Sequence, residues 1–258
     1  KVIHFFILYV FSSYLYASIP DGYSYVNQQP SQGVDIYESI PGAGKILYVV
    51  EADASRSDIN FGLTKPGRSK ESIYHYWDDY KNRKTMAIIN GQFFSLHTGK
   101  LSFPVKAKNR VLESNYNEPF VYKSFARLND THGFMFNGYS KNLFTFSKDY
   151  IMGLHPKNDN KSKNSYVPRT FMAVKRLGPC SPTNSNTCPI TKYYFFVDNE
   201  STQSMMVNNI KDWGIYENDI VMLDGGGSTQ ICAQGIRLEC DDFGEARAVP
   251  HAIMISIK

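Results

Sequence analysis

Apolar residues recur along this chain in short runs closed by turn-forming residues, the pattern of strands with a buried face. The plainest run is Ile220-Val221-Met222-Leu223, cut off by Asp224, by Gly225, Gly226 and Gly227, and then by Ser228-Thr229. Lys45–Asp53, Ile59–Leu63 and Thr85–Ile89 read as strands ahead of it, with Asn90 expected to point its amide outward where the third one ends. Leu101–Lys106, Phe120–Leu128, Gly133–Asn137 and Leu143–Phe146 read as short alternating strands. Pro168–Val174, Lys192–Val197 and His251–Ile257 complete the set.

Two stretches carry the helical period instead. Within 71–81, Ile73, Tyr76, Trp77 and Tyr80 stand at i, i+3, i+4 and i+7. A second helix is capped by Ser201 or Thr202 and runs through Trp213, with Met206, Ile210 and Trp213 inward and Gly214 as its stop. Segments 18–33 and 155–168 are polar and read as surface loops, and 177–191 as an excursion rich in proline. The pattern predicts a single α+β domain, β-rich, with a mixed sheet and a few packed helices. No internal repeat and no linker argues for a second domain.

Composition narrows the function classes. At 258 residues there is ample material for a core. The net charge of +4 is not gathered into any Lys/Arg cluster, so a nucleic-acid partner is set aside. Aromatics at 14 % suit a β core and also suit a surface that stacks on sugars. Residues 1–17 open with Lys1, continue as an apolar stretch to Phe11 and end in Leu15-Tyr16-Ala17, the layout of a secretory signal peptide. A retained anchor is the alternative, but the apolar run is short for a span. The expectation is a domain over 18–258 without a stable membrane span, secreted or otherwise extracytoplasmic (periplasm or lumen).

Four cysteines agree with export. Cys180 and Cys188 lie eight apart, as do Cys232 and Cys240, so two local disulfides are the simplest of three connectivities. Zinc is the alternative, without Cys-x-x-Cys or His spacing to support it. The second bridge would close a hairpin of Thr229–Ala233 with Ile236–Cys240 about Gln234-Gly235.

The candidate chemistry sits where strands begin or end: Asn90, Arg169, Asp224 with its glycines, and Arg247. Consecutive glycines free the backbone for φ > 0 and close approach, and their amides can converge on an anion. This is no P-loop, because the lysine that should follow the glycines is missing. Singly, each of these residues is ordinary: a turn asparagine, a surface arginine, an aspartate before glycine.

In this order, however, they resemble the phosphodiester glycosidase family. The matching stretches are Ala87–Phe94, Arg169–Val174, Leu223–Thr229 and Arg247–Ile253, and the resemblance covers about Lys45 to Lys258. The chain departs from the family pattern at Gln92, where a second glycine is usual, and at Pro250-His251, where a small residue and an asparagine are usual. Both departures flank the implied pocket, so a different substrate preference is expected. The resemblance implies hydrolysis of a sugar-1-phosphodiester at the anomeric C–O bond, with a glycan or sugar-1-phosphodiester as partner and no cofactor or metal. It implies Asp224, Arg169 and Asn90 as the catalytic set. Gly225, Gly226, Gly227, Ser228, Thr229 and Arg247 would hold the substrate. The competing class is a secreted module that binds a glycan or sugar phosphate without turning it over. A metal-dependent phosphodiesterase is disfavoured because no His/Asp ligand spacing stands out among the six histidines.

Overall fold

The computed structural model describes residues 19–27, 33–64, 70–113, 122–129, 132–157, 163–177, 189–236, 240–243 and 247–258. The expected leader and the Cys180–Cys188 excursion lie outside the described residues. Among those residues the elements in chain order are β1 (Tyr23–Asn27), β2 (Val34–Ser39), β3 (Tyr48–Asp53), β4 (Ile59–Leu63), α1 (Ile73–Tyr80), β5 (Thr85–Asn90), β6 (Val105–Ala107) and β7 (Arg110–Glu113). They continue with β8 (Tyr122–Arg127), β9 (Gly133–Asn137), α2 (Lys141–Phe146), β10 (Asp149–Leu154), β11 (Val167–Arg176) and β12 (Ile190–Ser201). The last are α3 (Gln203–Asp212), β13 (Ile220–Met222), β14 (Gln230–Ala233), β15 (Cys240–Asp242) and β16 (Ala252–Ile257).

The strands form two sheets. The larger runs β1-β2-β3-β12-β11-β13-β10-β6-β7, with β8 and β9 branching from β10, and the smaller runs β15-β14-β5-β16-β4. Every described strand pair is antiparallel. The α+β expectation with a mixed sheet is therefore overturned: the fold is a β sandwich with few helices. The physical reason lies in two inserted strands. Helix α1 carries the chain from β4 to β5, and α3 carries it from β12 to β13, the helical crossovers that normally deliver parallel neighbours. Between β4 and β5, however, lies β16, and between β12 and β13 lies β11, each antiparallel to both of its neighbours.

Packing follows the pleat. The facing sides of the two sheets share one core, in which Val50, Met172, Phe195 and Val221 of the larger sheet meet Phe61, Ile89, Ile231 and Ile255 of the smaller. The outer face of the larger sheet is covered by α3 through Met206, Ile210 and Trp213, with Thr202 as its cap accepting from the Met205 amide at 3.2 Å. The outer face of the smaller sheet is covered by α1, whose buried Ile73, Tyr76 and Trp77 meet Ile88, Cys232 and Met254. Inside the larger sheet Arg127 and Asp149 form a fully buried ion pair, and the Asp149 carboxylate also accepts from the Lys108 amide at 2.8 Å.

A second departure concerns Leu143–Phe146. The segment expected as a strand is the C-terminal part of α2, because the Ser140 hydroxyl accepts from the Leu143 amide at 3.3 Å and starts a helical turn. Only one of its aromatics is then needed by the core: Phe144 packs edge-on against Tyr150 at 5.1 Å, while Phe146 remains 76 % exposed.

The disulfide Cys232–Cys240 is present and joins β14 to β15 at directly opposed positions. Ile236, expected to open the second strand, lies in a bend, and the second strand is described over Cys240–Asp242.

Candidate functional site

Strand ends of the two facing sheets come together at one seam of the sandwich, and the strand-end residues converge there. Strand β13 leaves the larger sheet at Met222 and passes through Leu223 to Asp224, β11 enters beside it at Arg169, and β5 leaves the smaller sheet at Asn90. A cavity of about 290 Å³ opens at this seam, and Arg169, Asp224, Gly225, Gly226 and Arg247 line it.

Asp224 is half-buried and fixed at three points. Its amide donates to the Gly91 carbonyl at 3.3 Å, its carbonyl accepts from the Asn90 side chain at 2.9 Å, and its own Oδ1 accepts from the Gly225 amide at 3.1 Å. The glycines that follow form a single 3-10 turn, Gly226–Ser228, entered through Gly226 at φ +61°. That left-handed value explains the glycine at this position. Within the turn the amides of Ser228 and Thr229 are spent on the carbonyls of Gly225 and Gly226. Those of Gly226 and Gly227 have no protein acceptor among the described residues.

Asn90 does not point outward. It is fully buried, and all four of its hydrogen-bonding positions are filled by protein. Its Oδ1 accepts from the Thr170 hydroxyl at 2.7 Å and from the Gln230 amide at 3.1 Å, while Nδ2 donates to the carbonyls of Asp224 and Gly91. Thr170 belongs to the larger sheet and Gln230 to the smaller, so Asn90 is a clasp between them that sets Asp224 in place.

Arg169 is 4 % exposed, and its guanidinium donates to the carbonyls of Ser201 at 2.9 Å and Ser165 at 3.0 Å. Its reach is therefore fixed by backbone and not by a mobile side chain. Ser228 and Thr229 are both fully buried and, with Gly227, stand behind the cavity wall and not on it. Ser228 Oγ instead lies 3.5 Å from Arg247 Nη1, and the Arg247 amide donates to the Gly227 carbonyl at 3.3 Å. Gln230 completes this support: its Nε2 donates to the carbonyls of Arg247 and Ser228, and its Oε1 accepts from the Ile73 amide at the start of α1.

The two departures from the family pattern touch each other. The Gln92 amide donates to Nε2 of His251 at 3.1 Å, and both residues are buried. The imidazole ring lies against Gly91, where an added Cβ would come within 2.3 Å of it, so only glycine fits. The Gly91 amide donates to the His251 carbonyl at 3.1 Å, which ties this ring to the peptide that receives Asp224. Because Nε2 accepts, the proton of the neutral ring sits on the buried Nδ1.

Burial pushes the His251 pKa down from 6.5 to about 4. A folded-state value below the unfolded one means that the unfolded chain takes up the proton first as pH falls. The stabilisation is complete above about pH 6.5 and drains away towards pH 4, by roughly 3 kcal/mol in all. Urea midpoints at pH 7 and pH 4.5 should therefore fall more steeply with acid in the native chain than in His251→Asn. Equal slopes would show that this ring does not govern the acid response.

The rest of the lining comes from residues that read only as core or loop in the sequence. Phe93, Phe94 and Leu96 from the segment after β5, with Val167 and Pro168 at the entry to β11, add apolar side chains to the lining, and Ser102 adds a hydroxyl. No signal of spacing distinguishes them from packing residues. A further group missed in the sequence is Glu71, His75 and Asp79, whose ligand atoms lie within 4.8 Å of one another. They stand on or beside α1, two of the three exposed, and none of them lines the cavity.

No helix among the described residues is long and apolar enough to cross a membrane. No protein-family model and no curated protein matches the sequence. Solved structures do match. The zebrafish N-acetylglucosamine-1-phosphodiester alpha-N-acetylglucosaminidase catalytic domain, auto-inhibited by its pro-peptide, aligns at TM-score 0.60 and 14 % identity over 92 % of this chain and 82 % of that one. A hypothetical protein from Synechocystis aligns at TM-score 0.53 and 9 % identity, over 88 % of this chain and 62 % of that one. A putative exported protein from Burkholderia pseudomallei gives 0.51 and 10 %, over 81 % and 73 %. At such identities the likeness is one of fold: this chain folds as the catalytic domain of the zebrafish glycosidase does.

Proposed function

We propose that the chain is a phosphodiester glycosidase that hydrolyses the anomeric C–O bond of a sugar-1-phosphodiester, releasing free sugar and a phosphomonoester. The observation that carries this reading is the cavity at the seam, lined by one firmly held carboxylate, Asp224, together with two arginines and with Gly225 and Gly226. The chemistry asks for that division of labour. A phosphomonoester leaves far more readily than a sugar alkoxide, so a dedicated strong acid is less necessary than in ordinary glycosidases. Positive charge and N–H donors are needed on the departing phosphate, and Arg169, Arg247 and the Gly226 amide supply them. Asp224 acts at the anomeric carbon, as base for the attacking water or as a stabiliser of the oxocarbenium-like centre. Asn90 serves as the positioning residue behind it.

Hydrolysis in ¹⁸O-labelled water tests the reading. The heavy oxygen should enter the sugar hemiacetal and leave the phosphomonoester unlabelled, with quenching fast enough to outrun anomeric exchange. Label in the phosphate would show attack at phosphorus and overturn the glycosidase reading. Binding of sugar phosphates with no sugar released from any diester would leave a binding module instead.

A further inference from the structure

The seam cavity carries apolar residues in its lining as well as charged ones, and some of the apolar ones sit on a pinned turn. Phe94 bridges to Leu101, and the turn between them is closed by backbone bonds from Ser95 to Lys100 and from Gly99 to Ser95, both 2.8 Å. The Ser95 hydroxyl accepts from the Thr98 amide at 3.2 Å, and Lys70 Nζ donates to the Leu96 carbonyl at 2.8 Å. On this pinned turn Leu96 is nonetheless 55 % exposed, at the rim of the cavity. A lone exposed leucine is unremarkable on a protein surface. Here Val167 and Pro168, both half-buried, line the same cavity.

The character of these apolar residues separates two occupants. A sugar ring packs best on the open face of an aromatic residue, but Phe93 and Phe94 are only 8 % and 9 % exposed. Phe93 is turned edge-on to Phe103 at 6.1 Å, and Lys70 stands 5.8 Å over the Phe94 ring. The apolar surface left to a ligand is therefore aliphatic, from Leu96, Val167 and Pro168, with the exposed Ser102 beside it in the lining. The three aliphatic side chains gain by removing methylenes from water and offer no partner to hydroxyl groups.

We infer that the group carried away on the phosphate is an aliphatic chain: the substrate class is a sugar-1-phosphate esterified to an alkyl or prenyl alcohol. The assignment of sugar and leaving ends rests on the glycosidase reading of the site, whereas the aliphatic subsite beside the arginines does not. Calorimetric titration of the full chain with n-hexyl phosphate and methyl phosphate separates the two. Hexyl phosphate should bind at least about 30-fold more tightly, the gain expected from burying a few methylenes. Leu96→Ser and, separately, Val167→Ser should each cut that ratio about fivefold or more. Equal affinity for the two phosphates overturns the inference, as does a hexyl advantage that survives both substitutions. Kinetics with the methyl and hexyl diesters of a sugar-1-phosphate form the second arm, where kcat/KM should favour the hexyl ester. If neither diester is hydrolysed while hexyl phosphate still binds in a Leu96-dependent way, the glycosidase reading fails and the aliphatic subsite stands. If both are hydrolysed equally and the two phosphates bind alike, the glycosidase reading stands and this inference falls.

Discussion

Asp224→Asn should lower turnover of a sugar-1-phosphodiester by about 10²- to 10³-fold, the scale lost when a general base or charge stabiliser is neutralised. The amide that replaces the carboxylate can still accept from the Gly225 N–H, now held at 3.1 Å. The backbone anchors to Gly91 and Asn90 do not involve the side chain at all. Folding should thus be nearly unchanged, and the loss should fall on kcat more than on KM. A variant with native turnover would move the carboxylate elsewhere. Asp198 would then be next in line, since it stands opposite Arg169 in the register of β11 and β12. Burial holds its pKa above the usual carboxylate value, which would suit a proton carrier.

The second large effect concerns a residue that touches no substrate in this reading. Asn90→Ala empties a buried site of four hydrogen bonds and strands the Thr170 hydroxyl, the Gln230 amide and the Asp224 carbonyl. Each buried group left unpaired costs on the order of 1–3 kcal/mol, and a total of about 4 kcal/mol is expected after partial relaxation. Urea denaturation at pH 7 reads this directly. Because the carbonyl of Asp224 loses its anchor, turnover measured on the folded fraction should also fall, by about 10-fold or more. A stability loss under 1 kcal/mol would show that the clasp between the sheets is carried by other contacts.

Much of the local structure could be read in the sequence, because strands and helices announce themselves by period. Ile73, Tyr76 and Trp77 face inward on α1 as their spacing requires, and Met206 and Ile210 do so on α3. What the pattern could not convey is which strand lies beside which. The neighbours of β16 are 168 and 198 residues away in the chain at the pairs Ile255↔Ala87 and Ile257↔Ile59, and no local signal reports pairing at that distance. The same blindness applied at the site. Strand-end polar residues were legible as a set, but whether each faces the cavity or the core depends on how the sheets meet. Arg169 and Asp224 line the opening, while Asn90, Ser228 and Thr229 face away into the fold. The apolar part of the lining was hidden for a simpler reason: leucine, valine and phenylalanine look alike whether they pack a core or receive a ligand.

The late arrival of β16 has a consequence for how the molecule comes into being. As the chain emerges during synthesis, β4 and β5 appear early, yet neither can be stitched to the other until Ala252–Ile257 has been made. Until then both present open hydrogen-bonding edges to whatever is near, the kind of edge that invites stray pairing. The same closing stretch brings His251 against Gly91, and the residues just before it bring Arg247 to the cavity. The cavity lining is therefore incomplete until this stretch has been made, and the proposed site is finished in the same step that closes the two edges.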